Sequence, residues 1–208
     1  MTYEWLLPLA GFAWVTCITP GPNNVMLTAS GARFGFRRTL PHVLGIAVGM
    51  GVMLLAVASG LGQLFLHWPL LQSALKVAGS AYLLWLGWMI ATAPPMASGA
   101  EPMNEAPPTQ ETRRPFCFYQ AVLFQFVNPK AWLMSISAIG SFTLLGSHYW
   151  GSVILLVVLF CLICCKTCLL WAQFGVQMGR WLRSPRAWRN FNRIMGVMTA
   201  ACVAVIWY

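Results

Sequence analysis

The sequence has very little negative charge and few charged residues of any kind. Aspartate is absent, glutamate occurs only at Glu4, Glu101, Glu105 and Glu111, and charged residues make up 8% of the 208 residues. A soluble domain carries roughly 25% charged residues. This scarcity excludes an ordinary soluble domain. The 59% of hydrophobic residues and the mean hydropathy of +0.68 indicate an integral membrane protein instead.

Other absences exclude further classes of protein. The apolar run at the N-terminus has no basic segment before it, so we expect no cleavable signal peptide, and neither end carries a lipidation motif. The net charge of +9 comes from basic residues scattered between apolar runs rather than clustered on one face, which excludes nucleic acid as a partner. The seven cysteines, an odd number lying mostly in apolar runs, exclude a disulfide framework.

The apolar runs predict an all-α membrane protein with six transmembrane helices. A span needs roughly 17–25 residues, and some of the runs are longer. The predicted spans are Trp5–Leu27, Leu44–Leu66, Leu70–Thr92, Phe116–Leu145, Tyr149–Gly175 and Phe191–Tyr208. The last is short, and five spans are the alternative. Basic residues follow the first span, precede the fourth and separate the fifth from the sixth, so both termini are predicted to be periplasmic.

A proline-rich segment divides the chain into two halves. Residues 93–115 hold six prolines and three of the four acids, without apolar periodicity, and we interpret them as a cytoplasmic linker. The linker separates a first three-helix repeat, residues 1–92, from a second, residues 116–208, within one membrane domain. Because each half has an odd number of spans, the halves have opposite orientations, which is the geometry of inverted repeats.

The first and fourth predicted spans are both interrupted by proline. One contains Thr19-Pro20-Gly21-Pro22-Asn23-Asn24 and the other contains Val127-Asn128-Pro129-Lys130-Ala131. Proline removes a helical hydrogen bond and frees backbone carbonyls, which hydrocarbon does not tolerate. Broken helices at matching positions of two halves indicate the substrate site of a transporter, whereas a single break usually means only a kink.

The residues at these breaks suit a zwitterion. Each break can start a new helix, with Gly21 or Asn128 as the N-cap and proline at the first position. Two positive helix ends and Lys130 favour a carboxylate, and the freed carbonyls with Gln125 can accept from an ammonium group. The predicted substrate-binding residues are Pro20, Gly21, Pro22, Asn23, Asn24, Gln125, Asn128, Pro129 and Lys130.

Both breaks resemble the signatures of a known family. The run Thr19-Pro20-Gly21-Pro22-Asn23 with Gly35, Arg37, Gly45 and Gly49, and the run Phe126-Val127-Asn128-Pro129-Lys130-Ala131, resemble the RhtB/LysE family of amino-acid exporters. The resemblance covers nearly the whole chain. It implies secondary active export of small neutral amino acids or their derivatives, of the homoserine, threonine or leucine type, across the bacterial inner membrane. It also implies coupling to the proton motive force and a functional core at the two breaks.

Three further features have competing interpretations. Cys161, Cys164, Cys165 and Cys168 share one face of the fifth span, which we interpret as apolar packing, with a soft-metal site or redox thiols as alternatives. Lys166 lies within the same span, where charge is costly, and is a candidate relay group or a snorkelling side chain. Gly45-x-x-x-Gly49 predicts close helix packing, within the chain or at a homodimer face.

The sequence therefore predicts a non-enzymatic exporter with no catalytic residue, no cofactor and no metal. Its expected partners are a small zwitterionic amino acid and membrane lipids. His42, His67 and His148 are dispersed, so we predict no catalytic or metal-binding role for them. One alternative is a heavy-metal exporter of related fold, which requires the four cysteines of the fifth span to face a central cavity. Another is a membrane thiol oxidoreductase, for which Cys17 and Cys117 are poorly matched in position.

Overall fold

The structure, a computed structural model, describes residues 5–61, 69–94 and 115–207, and every regular element within these ranges is helical. A π-helical turn, Val57–Leu61, extends the third helix, and a 3-10 turn, Gly146–His148, precedes the seventh. The all-α prediction is therefore confirmed, while most of the predicted linker lies outside the described residues. The helices are α1 (Leu6–Ile18), α2 (Pro22–Phe34), α3 (Phe36–Ala56), α4 (Pro69–Ala91), α5 (Phe118–Val127), α6 (Pro129–Phe142), α7 (Tyr149–Trp181), α8 (Pro185–Ala201) and α9 (Ala204–Trp207).

Both predicted interruptions are present in the fold. One separates α1 from α2, and the other separates α5 from α6. Gly21 and Asn128 have extended backbone and cap α2 and α6, each of which begins with a proline. The Asn128 side-chain oxygen accepts a hydrogen bond of 3.1 Å from the backbone N–H of Lys130. Local chemistry alone accounts for these helix starts. Proline has no N–H that would lack a partner at the first helical position, and the Asn128 side chain accepts from the N–H of Lys130 in the first turn.

Among the described residues, two helical stretches are long and apolar enough to cross a membrane, Phe36–Leu61 and Gly146–Trp181. Each helix next to a break is shorter: α1 and α2 have 13 residues each, α5 has 10 and α6 has 14. None of these spans a hydrocarbon core of about 30 Å alone, at about 1.5 Å per residue. The two helices on either side of a break, α1 with α2 or α5 with α6, reach that length only together, as one discontinuous span that we call a broken pair.

The outer surface of the long helices is apolar. Exposed residues on α3 recur at the spacing of one helix face, and α7 exposes a similar row. Contiguous apolar surface of this kind is unfavourable in water and favourable in lipid, so the surface fits a membrane protein. The exposed rows are Leu44, Val48, Val52 and Leu55 on α3, and Ile154, Val158 and Leu162 on α7.

The boundaries of the first two predicted spans are wrong by several residues. The first span was expected to end at Leu27, but α2 continues to Phe34, and α3 begins at Phe36 rather than Leu44. A single residue, Gly35, connects them with a φ of 79°. Glycine adopts positive φ without steric cost, so one residue suffices for the turn. Arg37, expected in a loop, therefore lies in the first turn of α3.

The last predicted span also differs from the structure. It was expected to begin at Phe191, yet α8 begins at Pro185 and ends at Ala201, before the separate short helix α9. The Ser184 hydroxyl caps the start of α8 by accepting from the N–H of Ala187 at 3.1 Å. The arginines that were predicted to separate the last two spans lie partly on this helix, because capping extends it toward the N-terminus.

Helices of the two halves pack on each other through glycines. The most extensive pairs are α2 with α7, α3 with α5, α4 with α8 and α3 with α7. A Cβ atom added to Gly45 would lie 2.4 Å from the carbonyl oxygen of Phe118, and one added to Gly175 would lie 2.2 Å from that of Thr28. Backbones approach this closely only where a side chain is missing. The Gly45 motif therefore packs within the chain, against α5.

Hydrogen bonds define the two ends of the bundle. Arg33 donates to the carbonyl oxygen of Pro94 at 3.0 Å, and Asn192 donates to that of Ala93 at 3.0 Å. The first bond joins the end of α2 to the residues that follow α4, and the second joins those residues to α8. We call this end of the bundle the basic side. At the opposite side, the Tyr149 hydroxyl donates to the carbonyl oxygen of Ala58 at 2.7 Å.

Candidate functional site

The two helix breaks contact each other in the folded chain. Lys130, in the first turn of α6, donates from Nζ to the carbonyl oxygen of Thr19 at the end of α1, over 2.6 Å. Asn23, in the first turn of α2, donates from Nδ2 to Oε1 of Gln125 near the end of α5, over 3.0 Å. The partners are 111 and 102 residues apart in the chain. Residues from both halves thus form one site.

A small cavity of about 30 Å³ lies between the breaks. Pro20 is exposed and Pro129 is half-buried, and neither lines the cavity, so both act through the backbone conformation that they impose. The other seven predicted binding residues all line it. They are Gly21, Pro22, Asn23, Asn24, Gln125, Asn128 and Lys130.

One wall of this cavity consists of residues that were not among the predicted binding residues. Cys164, Thr167 and Cys168 of α7 line it, as does Cys17 of α1. The spacing of Cys164 and Cys168 placed them on one helix face, but nothing in the sequence indicated that this face points at the breaks. Met50 of α3 adds another sulfur to the lining.

The four cysteines of α7 do not share the cavity. The Cys161 thiol donates to the carbonyl oxygen of Ala47 at 3.4 Å, and Cys165 does not line the cavity. Within the described ranges, no group of three or more His, Cys, Asp or Glu residues is placed to hold a metal ion. The arrangement required by the metal-exporter alternative is therefore not found there.

Protein donors occupy carbonyls that were expected to be free. Trp171 donates from its indole nitrogen to the carbonyl oxygen of Ile18 at 3.2 Å. The carbonyl of Gln125 accepts from the N–H of Asn128 at 3.3 Å. Pro22 and Pro129 were expected to free these two carbonyls for protein, water or a ligand, and here long-range packing and a tight backbone turn satisfy them. A buried carbonyl in a membrane protein requires a partner, and here the protein supplies it.

The side-chain amide of Asn24 is bonded within the protein and is not available to a ligand. It is 4% exposed, and its Nδ2 donates to the carbonyl oxygens of Cys17 at 3.0 Å and Thr19 at 2.9 Å. Thr19 thus accepts from Asn24 and from Lys130 at once. The Lys130 side chain is flexible and can move away from Thr19. A ligand can therefore take its place as a donor to the Thr19 carbonyl.

The site is electropositive. The N-terminal ends of α2 and α6 both face the cavity, and each carries a partial positive charge. Lys130 adds a full charge, and its approach depends on Gly21, where an added Cβ would lie 3.0 Å from Cδ of Lys130. No carboxylate side chain occurs in the described parts of the chain. An anionic ligand group would therefore meet a positive charge that has no acidic partner there.

Lys166 is not brought to the breaks. Its side chain is exposed on α7, and Nζ lies 5.9 Å from the ring centre of Trp14. A cation over an aromatic face is a common way to hold a lysine at a protein surface. The relay role predicted for Lys166 therefore gains no geometric support.

The proteins that are similar to this chain in sequence are described as translocators or efflux proteins. A family model described as LysE type translocator matches residues 14–206. The cysteine/O-acetylserine efflux proteins of Salmonella choleraesuis and Salmonella typhimurium are 30% identical over 197 residues, which cover 95% of this chain and 94% of theirs. The protein of that name from Escherichia coli K12 is 28% identical over 208 residues, the full length of both. No solved structure matches the chain.

Proposed function

The chain belongs to the LysE type translocator family, and from that premise we propose that it is a secondary active exporter of small neutral amino acids in the bacterial inner membrane. Its curated relatives are named for efflux of cysteine and O-acetylserine. We therefore place these two zwitterions ahead of homoserine, threonine and leucine as substrates. All five present the same carboxylate and ammonium groups, which the site at the breaks suits.

The observation that carries this proposal is the bond between Lys130 and the carbonyl of Thr19. A zwitterion can insert into this bond, because its carboxylate attracts the Lys130 ammonium and its own ammonium takes the place of Lys130 at Thr19. Each new contact is a charge-assisted hydrogen bond, typically worth about 1.5–3 kcal/mol. The insertion leaves every charged group paired.

We propose that the structure represents a closed state of the carrier. The cavity of about 30 Å³ has room for two or three waters, at about 10–15 Å³ each, and not for an amino acid. The Lys130–Thr19 and Asn23–Gln125 bonds both join the two halves across the cavity. Binding would therefore separate the breaks, and transport would follow from rocking of one half against the other.

The packing supports two inverted three-span halves. Counting each broken pair as one span, the first span packs on the fifth, the second on the fourth, and the third on the sixth. Exchanging the halves maps this set of contacts onto itself, as a two-fold axis requires. On this proposal the basic side is cytoplasmic and both termini are periplasmic. We propose that the proton motive force drives export, as the family resemblance implies.

The proposal is tested by export from cells preloaded with dipeptides that contain the candidate amino acids. We expect Lys130→Met to lose most export of O-acetylserine and cysteine while reaching the membrane in normal amount, because the carboxylate loses its cation. Lys76→Met is the matched control, since Lys76 lies on α4 with Nζ 5.9 Å from the ring centre of Trp207, outside the cavity. Export by Lys130→Met at the wild-type rate would remove the break site from the mechanism.

A further inference from the structure

The first half of α8 presents a row of exposed arginines at the basic side of the bundle. Arg186, Arg189 and Arg193 are all exposed, and their spacing places them on one face of the helix. The opposite face of α8 is buried and packs chiefly against α4. None of the three guanidinium groups has a hydrogen bond or an ion pair within the described ranges. We call these three residues the arginine row, and its charge is available to a partner.

The arginine row leads directly into apolar surface. Val197 follows Arg193 by four residues on the same face and is 66% exposed, and Ile194 is 56% exposed. One exposed face of α8 therefore changes from cationic to apolar within a single turn. This change is expected where a helix passes from the headgroup region of a bilayer into hydrocarbon. The arginine row accordingly lies at the level of the headgroups.

The neighbouring helix α4 places the membrane interface at the same level. A Cβ atom added to Gly196 of α8 would lie 2.4 Å from the carbonyl oxygen of Gly87, so the two backbones are in close contact there. Trp88, the residue after Gly87, is 70% exposed. Tryptophan is enriched where a membrane protein meets the interface between lipid and water. Because Gly196 lies about one turn beyond Arg193, the tryptophan and the arginine row are close to one depth.

The charge around the arginine row favours an anionic partner. Arg180 is exposed in the last turn of α7, which a three-residue connection joins to α8, and it adds to the positive charge of this side. No carboxylate side chain lies in the described parts of the chain to compete for these cations. A guanidinium group binds phosphate through two parallel hydrogen bonds, so the row suits a phosphate group.

The apolar end of the same face distinguishes a lipid from a soluble partner. An acidic protein or a soluble phosphate ester can pair with the arginines, but it leaves Ile194 and Val197 uncovered. A phospholipid brings a phosphate to the row and an acyl chain to the apolar residues in one molecule. A zwitterionic headgroup also carries a cation, which the arginines repel, so the favoured headgroup has a net negative charge.

We propose that the exposed face of α8 is a binding site for an anionic phospholipid. The arginine row contacts the headgroup phosphate, and Ile194 and Val197 contact an acyl chain of the same lipid. On the orientation proposed above, this lipid belongs to the cytoplasmic leaflet. None of these residues lines the cavity at the breaks, so lipid binding does not depend on which amino acid is exported.

The test is native mass spectrometry of the purified full-length protein in detergent, titrated with phosphatidylglycerol or with phosphatidylcholine of the same acyl chains. We expect phosphatidylglycerol to bind at least about tenfold more tightly, because each arginine near a headgroup typically contributes about fivefold. Changing all three residues of the arginine row to glutamine should remove this preference. Unchanged binding of phosphatidylcholine then shows that the variant is folded. Changing all three to lysine should keep most of the preference, since the charge is retained.

Single variants and a soluble competitor locate the site. Arg193→Gln should weaken phosphatidylglycerol binding about fivefold. Lys166→Gln is the matched control and should change nothing, because Lys166 is also exposed but lies within the long apolar helix α7. Glycerol phosphate, which has no acyl chain, should not displace the lipid at equal concentration.

Three results would overturn the proposal of a lipid site. The first is equal binding of the two lipids by the wild type, and the second is a preference that survives the triple glutamine change. The third is displacement by glycerol phosphate at equal concentration, which would assign the row to free phosphate instead. The proposed export function stands or falls separately, because its readout is export by Lys130→Met rather than lipid binding.

Discussion

The amide pair between the halves gives the sharpest test of the site geometry. Asn23 Nδ2 donates to Gln125 Oε1 at 3.0 Å, and Gln125 Nε2 donates to Asn23 Oδ1 at 3.4 Å and to the carbonyl oxygen of Ala121 at 2.9 Å. Gln125 is 0% exposed. Asn23→Ala therefore leaves a buried amide oxygen without a donor, whereas the amide nitrogen of Gln125 keeps its bond to Ala121.

The expected cost of Asn23→Ala is about 1–3 kcal/mol of unfolding free energy, the penalty of an unsatisfied buried acceptor. In a chain of this size each kcal/mol lowers the melting temperature by about 2–4 °C. Adding Gln125→Met should recover most of the loss, because methionine fills a similar volume and leaves no buried polar group unpaired.

Thermal unfolding of the purified protein in detergent measures these effects. Asn190→Ala, an exposed asparagine on α8, serves as the control and should melt as the wild type does. The reasoning is refuted if the double variant is destabilised by the sum of the two single variants, since partners in a real pair are not additive.

Two further predictions concern packing and the thiols. Gly175→Ala should sharply reduce the yield of folded protein, because its Cβ would lie 2.2 Å from the backbone oxygen of Thr28 and force α7 away from α2. Gly140→Ala, with no atom within 4 Å of the added Cβ, should fold normally, and size-exclusion profiles after detergent extraction compare the two. Cys17→Ser combined with Cys164→Ser should keep at least half of the export rate in the dipeptide assay, because the thiols wall the cavity without forming a disulfide. Complete loss of export with normal membrane insertion would instead support thiol chemistry.

Much of the candidate site could be predicted from the sequence, because proline changes the backbone only within a few residues of itself. The breaks, the caps at Gly21 and Asn128, and the charge of Lys130 follow from which residues cannot continue a helix in lipid. The boundaries near Gly35 were wrong because the polar stretch that contains Arg33 and Arg37 was interpreted as a loop, whereas both arginines lie on helices and Gly35 alone makes the turn.

The sequence by itself determined a helical membrane protein with two polar interruptions, because hydropathy and proline geometry depend on neighbours a few residues away. Only the tertiary structure decided that Lys130 bonds to Thr19, that Trp171 satisfies Ile18, and that α7 presents its thiols to the cavity. Those contacts depend on helix registers set by close glycine–carbonyl packing between the two halves, such as Gly45 with Phe118 and Gly175 with Thr28. No local pattern encodes such a register, since it emerges only when whole helices are in contact.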